Sequence, residues 1–430
     1  MTEFKTNLQL FGADTNVHGT EAYINANTGS KTKYGEGGLS PEMKTYYSDY
    51  LIDNAEPALV HDMFAQKVNI PAGNGKTIQF RKYDPLGKIT SPIAEGVTPT
   101  GQTLNATTVN ATVAQYGGYI EFSDMLLMTA IDNNLCAATK LLGSQAGRTL
   151  DTVTREVLVG GTNVQYADGR VSARHLLVGG NKEDPSANHY LNVEAIRKAV
   201  RFLKKQNAEK INGSYIAIIH PDCAYDLMSD ENWRYPHQYA SPEEIFDGEI
   251  GKLEGVRFIE TTEAKIFSPA SICLSSTSLT VTEANNGSSN QYKVLEYVDV
   301  SAIGKGVVYN SNLYYIGSAS NQYVKLYTDK SFLNEARFEV SPGAKFYSAE
   351  SGFEGRDVYA TLIFGDNAFG TTSIENGGLE HIVKQLGSAG SSDPLNQRAS
   401  VGWKASKASV RLVEAFMIRI ETTSSAEKAS

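Results

Sequence analysis

The sequence predicts an α+β fold that carries an inserted β-rich module, and three observations point to it. From Ile131 the apolar residues fall at Leu135, Ala138, Leu142, Ala146, Leu150, Val153 and Val157, in steps of three and four. That spacing is one face of a helix of about thirty residues and ~45 Å. From about Asn192 helical and strand-like segments alternate, and between Phe267 and Arg356 short strands are separated by Gly, Ser and Asn turns. With 430 residues and 41% hydrophobic content, the chain can bury one large core or two moderate ones.

Residues 1–60 are rich in Gly, Asn, Thr and Ser without a sustained period, which reads as an extended arm. Inside it, Ser40-Pro41-Glu42 is a helix start, with Ser as N-cap and Pro at the first helical position, and the helix runs to near Pro57. A lead-in over 61–76 ends in the turn cluster Pro71-Ala-Gly-Asn-Gly75. Residues 77–122 form a two-armed β-excursion: strand Thr77–Tyr83, a polar Pro- and Gly-punctuated stretch to Gly101, and a strand-like run from Thr103 to Phe122. Such a hairpin is marginal alone in water and leaves strand edges unpaired, so either a neighbouring subunit covers it or it lies flat on its own domain, and the sequence hints at the first.

Ser123-Asp124 caps the next helical region, which Gly160-Gly161 ends. An amphipathic helix of that length needs a sheet or partner along it. Asn192 then caps a helix over 193–205 with an apolar face of Ala195, Ile196, Ala199, Phe202 and Leu203. Strand Tyr215–Ile219, a helix begun by Pro221-Asp222, a short helix at 242–246 and strand Gly255–Glu260 follow.

Residues 267–356 read as a small β-domain inserted at a surface loop, where insertions are tolerated. Its strands are expected at 278–282, 292–300, 307–316, 323–327 and 337–340. Eight of the 23 tyrosines lie between Tyr292 and Tyr347, which suits half-buried strands. After it, Asp357-Val-Tyr-Ala-Thr-Leu-Ile-Phe-Gly365 is an apolar strand and Gly378–Lys384 a short helix. A Gly/Ser break and the turn at Asp393-Pro394 lead to a final strand pair, and residues 424–430 are a mobile tail.

The formal charge of −9 disfavours a protein whose main work is gripping nucleic-acid phosphates. Cys136, Cys223 and Cys273 are widely spaced and read as small buried hydrophobes in a reducing compartment. No apolar run approaches membrane-spanning length, and the N-terminus lacks a signal-peptide pattern, so a cytoplasm-like setting is expected.

Sites for chemistry are sparse. Gly73-Asn-Gly-Lys-Thr77 has Ile70 where a phosphate loop needs Gly and leads into a strand, so it reads as a tight turn. The seven histidines are scattered without zinc-protease or zinc-finger spacing. His220-Pro221-Asp222 is the best enzyme-like constellation, and a strand-to-helix turn explains it. Arg197, Arg201, Lys204 and Lys205 make a basic stripe broken by Glu194 and Glu209, which reads as a solvated helix face. No catalytic, cofactor or metal site is expected.

The words Leu39-Ser-Pro-Glu-Met-Lys-Thr-Tyr-Tyr47, Glu95-Gly-Val-Thr-Pro99, Gln115-Tyr-Gly-Gly-Tyr-Ile120 and Phe258-Ile-Glu-Thr-Thr-Glu-Ala264 occur in this order. With them go the strand at 357–365, Gly378-Leu-Glu-His-Ile-Val-Lys384 and Asp393-Pro-Leu-Asn-Gln-Arg-Ala-Ser-Val-Gly-Trp-Lys404. Together they resemble the major capsid (coat) proteins of tailed bacteriophages with the HK97-like fold, in the branch typified by the phage N-four coat protein. The Tyr-rich insert is the main departure.

That resemblance implies residues 77–122 as an extended loop lying over a neighbour and 123–189 as a peripheral domain around the spine helix. It implies an axial domain from 190–266 and 357–405, and a C-terminal strand within 406–430 returning to the periphery. The function implied is self-assembly, as hexamers and pentamers, into an icosahedral shell enclosing packaged double-stranded DNA, with no enzymatic role and no cofactor. Scaffolding, portal and decoration proteins would be further partners, with DNA held non-specifically on the inner face. The location would be the virion after assembly in the host cytoplasm. Arg81, Lys82, Asp84, Lys88 and Glu95, the mixed charges of the excursion, read equally as an inter-subunit interface and as charges that keep a strand edge soluble. Two alternatives stand beside it: an encapsulin-like compartment shell and a β-rich surface adhesin.

Overall fold

The computed structural model describes residues 17–18, 60–71, 73–83, 86–90, 92, 96, 98, 101–129, 134–181, 187–233, 251–272, 276–374, 378–386 and 395–426. The expected arm helix near 41–57 and the short helix at 242–246 lie outside them, as does Cys273, and the side chain of Cys136 is not described.

In chain order, β1 (Val17–His18), β2 (Gln66–Lys67), β3 (Thr77–Tyr83), β4 (Ala106–Thr112) and β5 (Ala114–Ser123) come before α1 (Asp124–Thr129) and α2 (Asn134–Val159). Next are β6 (Val164–Tyr166), α3 (Val193–Lys205), β7 (Tyr215–Ile219), α4 (Pro221–Ser229), β8 (Lys252–Leu253), β9 (Val256–Glu260) and β10 (Ile266–Phe267). The Tyr-rich region holds β11 (Ser278–Thr280), β12 (Asn285–Asn286), β13 (Gln291–Val298), β14 (Gly306–Tyr309), β15 (Asn312–Tyr327), β16 (Glu339–Val340) and β17 (Lys345–Ser348). The chain closes with β18 (Val358–Phe364), β19 (Phe369–Thr372), β20 (Glu380–Lys384), β21 (Arg398–Arg411) and β22 (Met417–Thr422).

Two compact units emerge, one drawn from Met1–Asp62, Gln66–Thr154 and Gly370–Val410, the other from Met63–Ala65, Arg155–Phe369 and Arg411–Ser430. The first is built on a sheet of order β1-β5-β21-β19-β2, with β20 added beside β21. Because side chains alternate along a strand, Ile120 and Phe122 of β5 share a face with Val401, Trp403 and Ala405 of β21. Against that face α1 and α2 lay Leu126, Ala138, Leu142 and Ala146. The Ser123 hydroxyl accepts the Leu126 N–H at 3.2 Å and so caps α1.

The buried seam of α2 departs from the expected one after Ala146. Asp151 and Thr154 are buried, while Leu150 and Val153 are only half so. Both polar residues have partners, which is what permits them inside. Asp151 accepts from the backbone N–H of His61 at 2.9 Å and faces His61 Nδ1 at 2.6 Å, and the Thr154 hydroxyl meets Ser409 Oγ at 3.0 Å.

The second unit centres on a mixed sheet of order β6-β22-β18-β7-β9-β8, with β10 beside β18. Its middle strands, β7 and β18, are buried at every position, as continuous apolar runs should be when both faces are covered. Helix α3 packs Val193, Ala195, Ile196, Ala199, Val200 and Leu203 into this core. Each large aliphatic chain among them contributes about 1.5–3 kcal/mol of burial. The Asn192 side chain accepts the Ala195 N–H at 2.8 Å and starts the helix where the sequence places it.

Within this unit the Tyr-rich region has a core of its own, including Leu279, Val281, Tyr292, Val294, Ile316 and Phe346. Its strands run β11-β17-β14-β15-β13, and a bridge between Val281 and Val294 ties the last strand back to the end of the first. The five strands thus close into a small barrel, which removes most of the free edge a flat sheet would carry.

Four expectations are corrected by the strand pairing. The run 103–122 is not one arm: β4 pairs with β3, while β5 pairs with β21 from Ala114↔Lys407 to Ser123↔Arg398. The switch comes at buried Val113, whose N–H donates to Lys76 O at 2.8 Å. Residues 378–384 contain no helix; β20 is a strand in register with β21, and its apolar spacing suits either period.

Segments 307–316 and 323–327 belong to the hairpin of β14 with the single long strand β15, which passes Ser318–Asn321 without a break. Finally, residues 370–410 fall in the unit with β5 and the first five turns of α2, not in the α/β half. Strand β22 joins the α/β sheet instead, pairing six residues with β18 from Tyr359↔Thr422 to Phe364↔Met417, so it does not return to the long-helix sheet. A ladder between partners so far apart in sequence leaves no local mark that could have set this division.

Candidate assembly surface

Among the described residues, strands β3 and β4 form a ribbon that pairs only with itself, in unbroken register from Thr77↔Thr112 to Tyr83↔Ala106. Period-two alternation gives it two unlike faces. Ile78 and Phe80 turn toward Ile70, Ala111, Val113 and Ala408, which root the ribbon in its own unit. Past that root the support ends, and Tyr83, Leu86, Ile89 and Leu104 are 58%, 58%, 74% and 66% exposed. The Gln102 side chain donates to Gly87 O at 3.1 Å and links the two arms in this distal part.

Of the charges expected to form an interface, Asp84 and Glu95 lie outside the described residues. Arg81, Lys82 and Lys88 are exposed, and none is ion-paired with a described residue. Arg81 and Lys82 are not one patch. Consecutive strand residues point apart, so Lys82 shares the face of Ile78 and Phe80 while Arg81 is on the other with Gln79 and Tyr83. The exposed apolar side chains of the distal loop were missed in the sequence. The signal was large apolar residues in a Pro- and Gly-punctuated stretch that can build no core.

Exposed apolar clusters of this kind mark contact surfaces. Among the described residues no three His, Cys, Asp or Glu side chains are placed to hold a metal ion. No described helix is long and apolar enough to cross a membrane. A family model described as phage capsid protein matches residues 106–365, more than half of the chain. The chain belongs to the phage capsid protein family.

Among solved structures, the capsid of cyanophage P-SCSP1u is similar at a TM-score of 0.52 with 12% identity, over 94% of this chain and 98% of that one. The capsid of Ralstonia phage GP4 is similar at 0.51 with 13% identity, over 93% and 100%. At such identities the likeness speaks for the fold, and the fold is the HK97-like capsid fold expected from the sequence. No curated protein matches the chain.

The protein is therefore a phage major capsid protein, a structural component of the virion whose copies assemble into a shell. The compartment-shell and adhesin alternatives are not favoured. The enzyme-like features of this capsid protein resolve into structure. His220 Nδ1 accepts the Asp222 N–H at 3.2 Å and caps α4, with Pro221 at its first position. The Tyr359 hydroxyl donates to Asp222 Oδ2 at 2.8 Å. Burial, chiefly, holds the His220 imidazole below its usual value, so the cap is formed by the neutral ring.

Gly73 and Gly75 both take positive φ in the turn before β3, where Asn74 N–H donates to Pro71 O. The stripe on α3 is interleaved with acids: Arg197 pairs with Glu254 at 2.9 Å and Lys198 with Glu194 at 2.7 Å. Cys223 is a buried free thiol beside Thr422, and burial pushes its pKa up, which leaves it unreactive.

Proposed function

We propose that this capsid protein assembles as hexamers and pentamers into an icosahedral shell around packaged double-stranded DNA, in the host cytoplasm, with the β3–β4 ribbon lying over a neighbouring subunit. The observation that carries this reading is the ribbon's bare distal part, with Tyr83, Leu86, Ile89 and Leu104 exposed beyond the rooted residues. Exposed apolar clusters mark contact sites, and a closed shell supplies the cover to every copy at once. The charges at Arg81, Lys82, Asp84, Lys88 and Glu95 then serve register and encounter more than affinity. A net charge of −9 suits a wall that holds DNA without gripping it. Portal, scaffolding and decoration proteins fit the same reading as partners.

The test replaces Leu86 and Ile89 by Ser in the full chain and follows particles by sedimentation and negative-stain electron microscopy. Both side chains are exposed, so the subunit should fold with an unchanged far-ultraviolet circular dichroism spectrum. Particle yield should fall by about tenfold or more, as for loss of central apolar anchors. Undiminished yield of normal closed shells would overturn the ribbon contact.

A further inference from the structure

The barrel carries an irregularity between β13 and β15. Lys293 of β13 lies opposite Tyr323 of β15, yet Val298 lies opposite Asn321. Four residues, Val294 to Tyr297, therefore stand against Gln322 alone, and the ladder opens into a wide bulge. Asn321 takes a positive φ of 52° at this point, and the Gln322 side chain donates to Leu295 O at 3.3 Å to bridge the gap. Bulges of this kind cost ladder hydrogen bonds and re-aim side chains. In β13 the period-two alternation runs through the irregularity unbroken, with Val294 and Val298 buried and Leu295 and Tyr297 on the outer side.

Leu295 is 62% exposed, Tyr297 60% and Tyr323 41%, and the following turn adds Val300 at 75% and Ile303 at 42%. Charges within the patch are withdrawn from it. Glu296 turns its carboxylate to the Thr280 N–H at 2.7 Å, and Lys293 is taken up by Glu283 at 2.5 Å. What remains is polarised along β13. Lys325, exposed beside Gln291, marks a basic end. Asp299, which holds the Ser301 N–H at 3.0 Å, marks an acidic one.

We propose that this bulge is a contact between copies of the chain, in which the patch of one barrel meets the same patch of a second across a two-fold axis. The occupant follows from charge and composition. A two-fold axis lying across β13 reverses the second copy, which brings the Asp299 end of each patch to the Lys325 end of the other and leaves the apolar centres face to face. An apolar centre with its charges turned away suits a permanent partner, and for a shell protein that partner is another copy. The contact is independent of the β3–β4 ribbon.

The experiment uses the full chain with Val300→Cys, treated with a short bis-maleimide both in assembled particles and in the concentrated unassembled fraction. Ser341→Cys, exposed elsewhere on the barrel, is the control. We expect cross-linked dimers at least about tenfold more abundant for Val300→Cys than for the control, and their loss when Leu295 and Tyr297 are both changed to Ser. No excess over the control in either fraction overturns the proposal. So does a Val300→Cys adduct to a different protein in place of the dimer, or cross-linking that survives the double Ser change. Ribbon variants that abolish shells while leaving this cross-link in the soluble fraction would separate the two contacts.

Discussion

Arg174 forks onto Glu421, with Nε 2.7 Å from Oε2 and Nη2 2.8 Å from Oε1, and the carboxylate it holds is wholly buried. Arg419 adds a third bond, Nε to Oε1 at 2.7 Å, and the Phe267 ring lies 3.4 Å under the Arg174 guanidinium. Arg174 Nη1 also reaches Glu350 O at 3.4 Å, so one side chain ties the α/β sheet to both ends of the Tyr-rich region. Removing the central charge strands two cations. Glu421→Gln is expected to cost about 3–5 kcal/mol, the usual result of breaking a buried ion pair from one side. Differential scanning calorimetry would show the loss, and an unchanged melting temperature would refute the role.

His61 and Asp151 make a second buried pair, in the other unit, by two bonds of 2.9 and 2.6 Å. Asp151→Ala leaves the His61 N–H and its ring nitrogen without an acceptor. A loss of about 2–4 kcal/mol is expected, with partial rescue by Asp151→Asn, which keeps an acceptor for the backbone N–H. Urea unfolding of the two variants in parallel measures both.

Acid should weaken the second unit before it affects most carboxylates. Burial holds His175, His189 and His220 below their ordinary 6.5. At His189 the ring Nδ1 accepts the Val178 N–H at 2.9 Å, which requires the neutral form. Groups with depressed folded values contribute stability that is whole above 6.5 and is lost as pH falls below it. The melting temperature should therefore drop from pH 7 to pH 5, and a flat profile there would contradict the assignment.

Asp226 acts in the opposite sense, because burial raises its carboxyl above the ordinary 3.8 despite its bonds to Ser425. Its stabilising share is whole below 3.8 and lost as pH rises through the raised value. Asp226→Asn keeps an acceptor for the Ser425 N–H and removes the desolvated charge. At pH 7 the variant should melt no lower than the parent.

Tyr292 is the polar centre of the barrel. Its hydroxyl donates to Ala336 O at 3.1 Å and accepts from the Phe338 N–H at 3.1 Å, and burial pushes its pKa up to about 12. Its ring stacks on Phe338 at 4.8 Å and meets Phe346 edge-on at 5.5 Å. Tyr292→Phe should cost about 1–3 kcal/mol and Tyr292→Ala about 3–5 kcal/mol. Because the barrel core is separate from that of α3, hydrogen exchange should accelerate in β13–β17 and remain slow in β7 and β18.

Helix starts were read correctly at three places because their cause is local. Asn192, Ser123 and Pro221 mark helix starts by side-chain capping and fixed φ, and these need only the adjacent backbone. The apolar runs of β7 and β18 were read as strands in the same way, and the structure buries both at every position. The charges Arg81 and Lys82 were visible as a pair, but the register that sends them to opposite faces was not.

By itself, then, the sequence determined the α+β class, the long helix, the Tyr-rich insert and, through the order of its motifs, the kind of protein this is. Tertiary structure alone decided where β5, β20 and β22 pair, since each ladder joins residues with no shared local pattern. It also admitted Asp151 and Thr154 to the buried seam of α2, because a polar residue is buried only when a distant partner satisfies it. The barrel's closure at Val281↔Val294 and the register shift between β13 and β15 belong to the same class. Hydrophobic period sets what an element is, and long-range hydrogen bonding sets which elements meet.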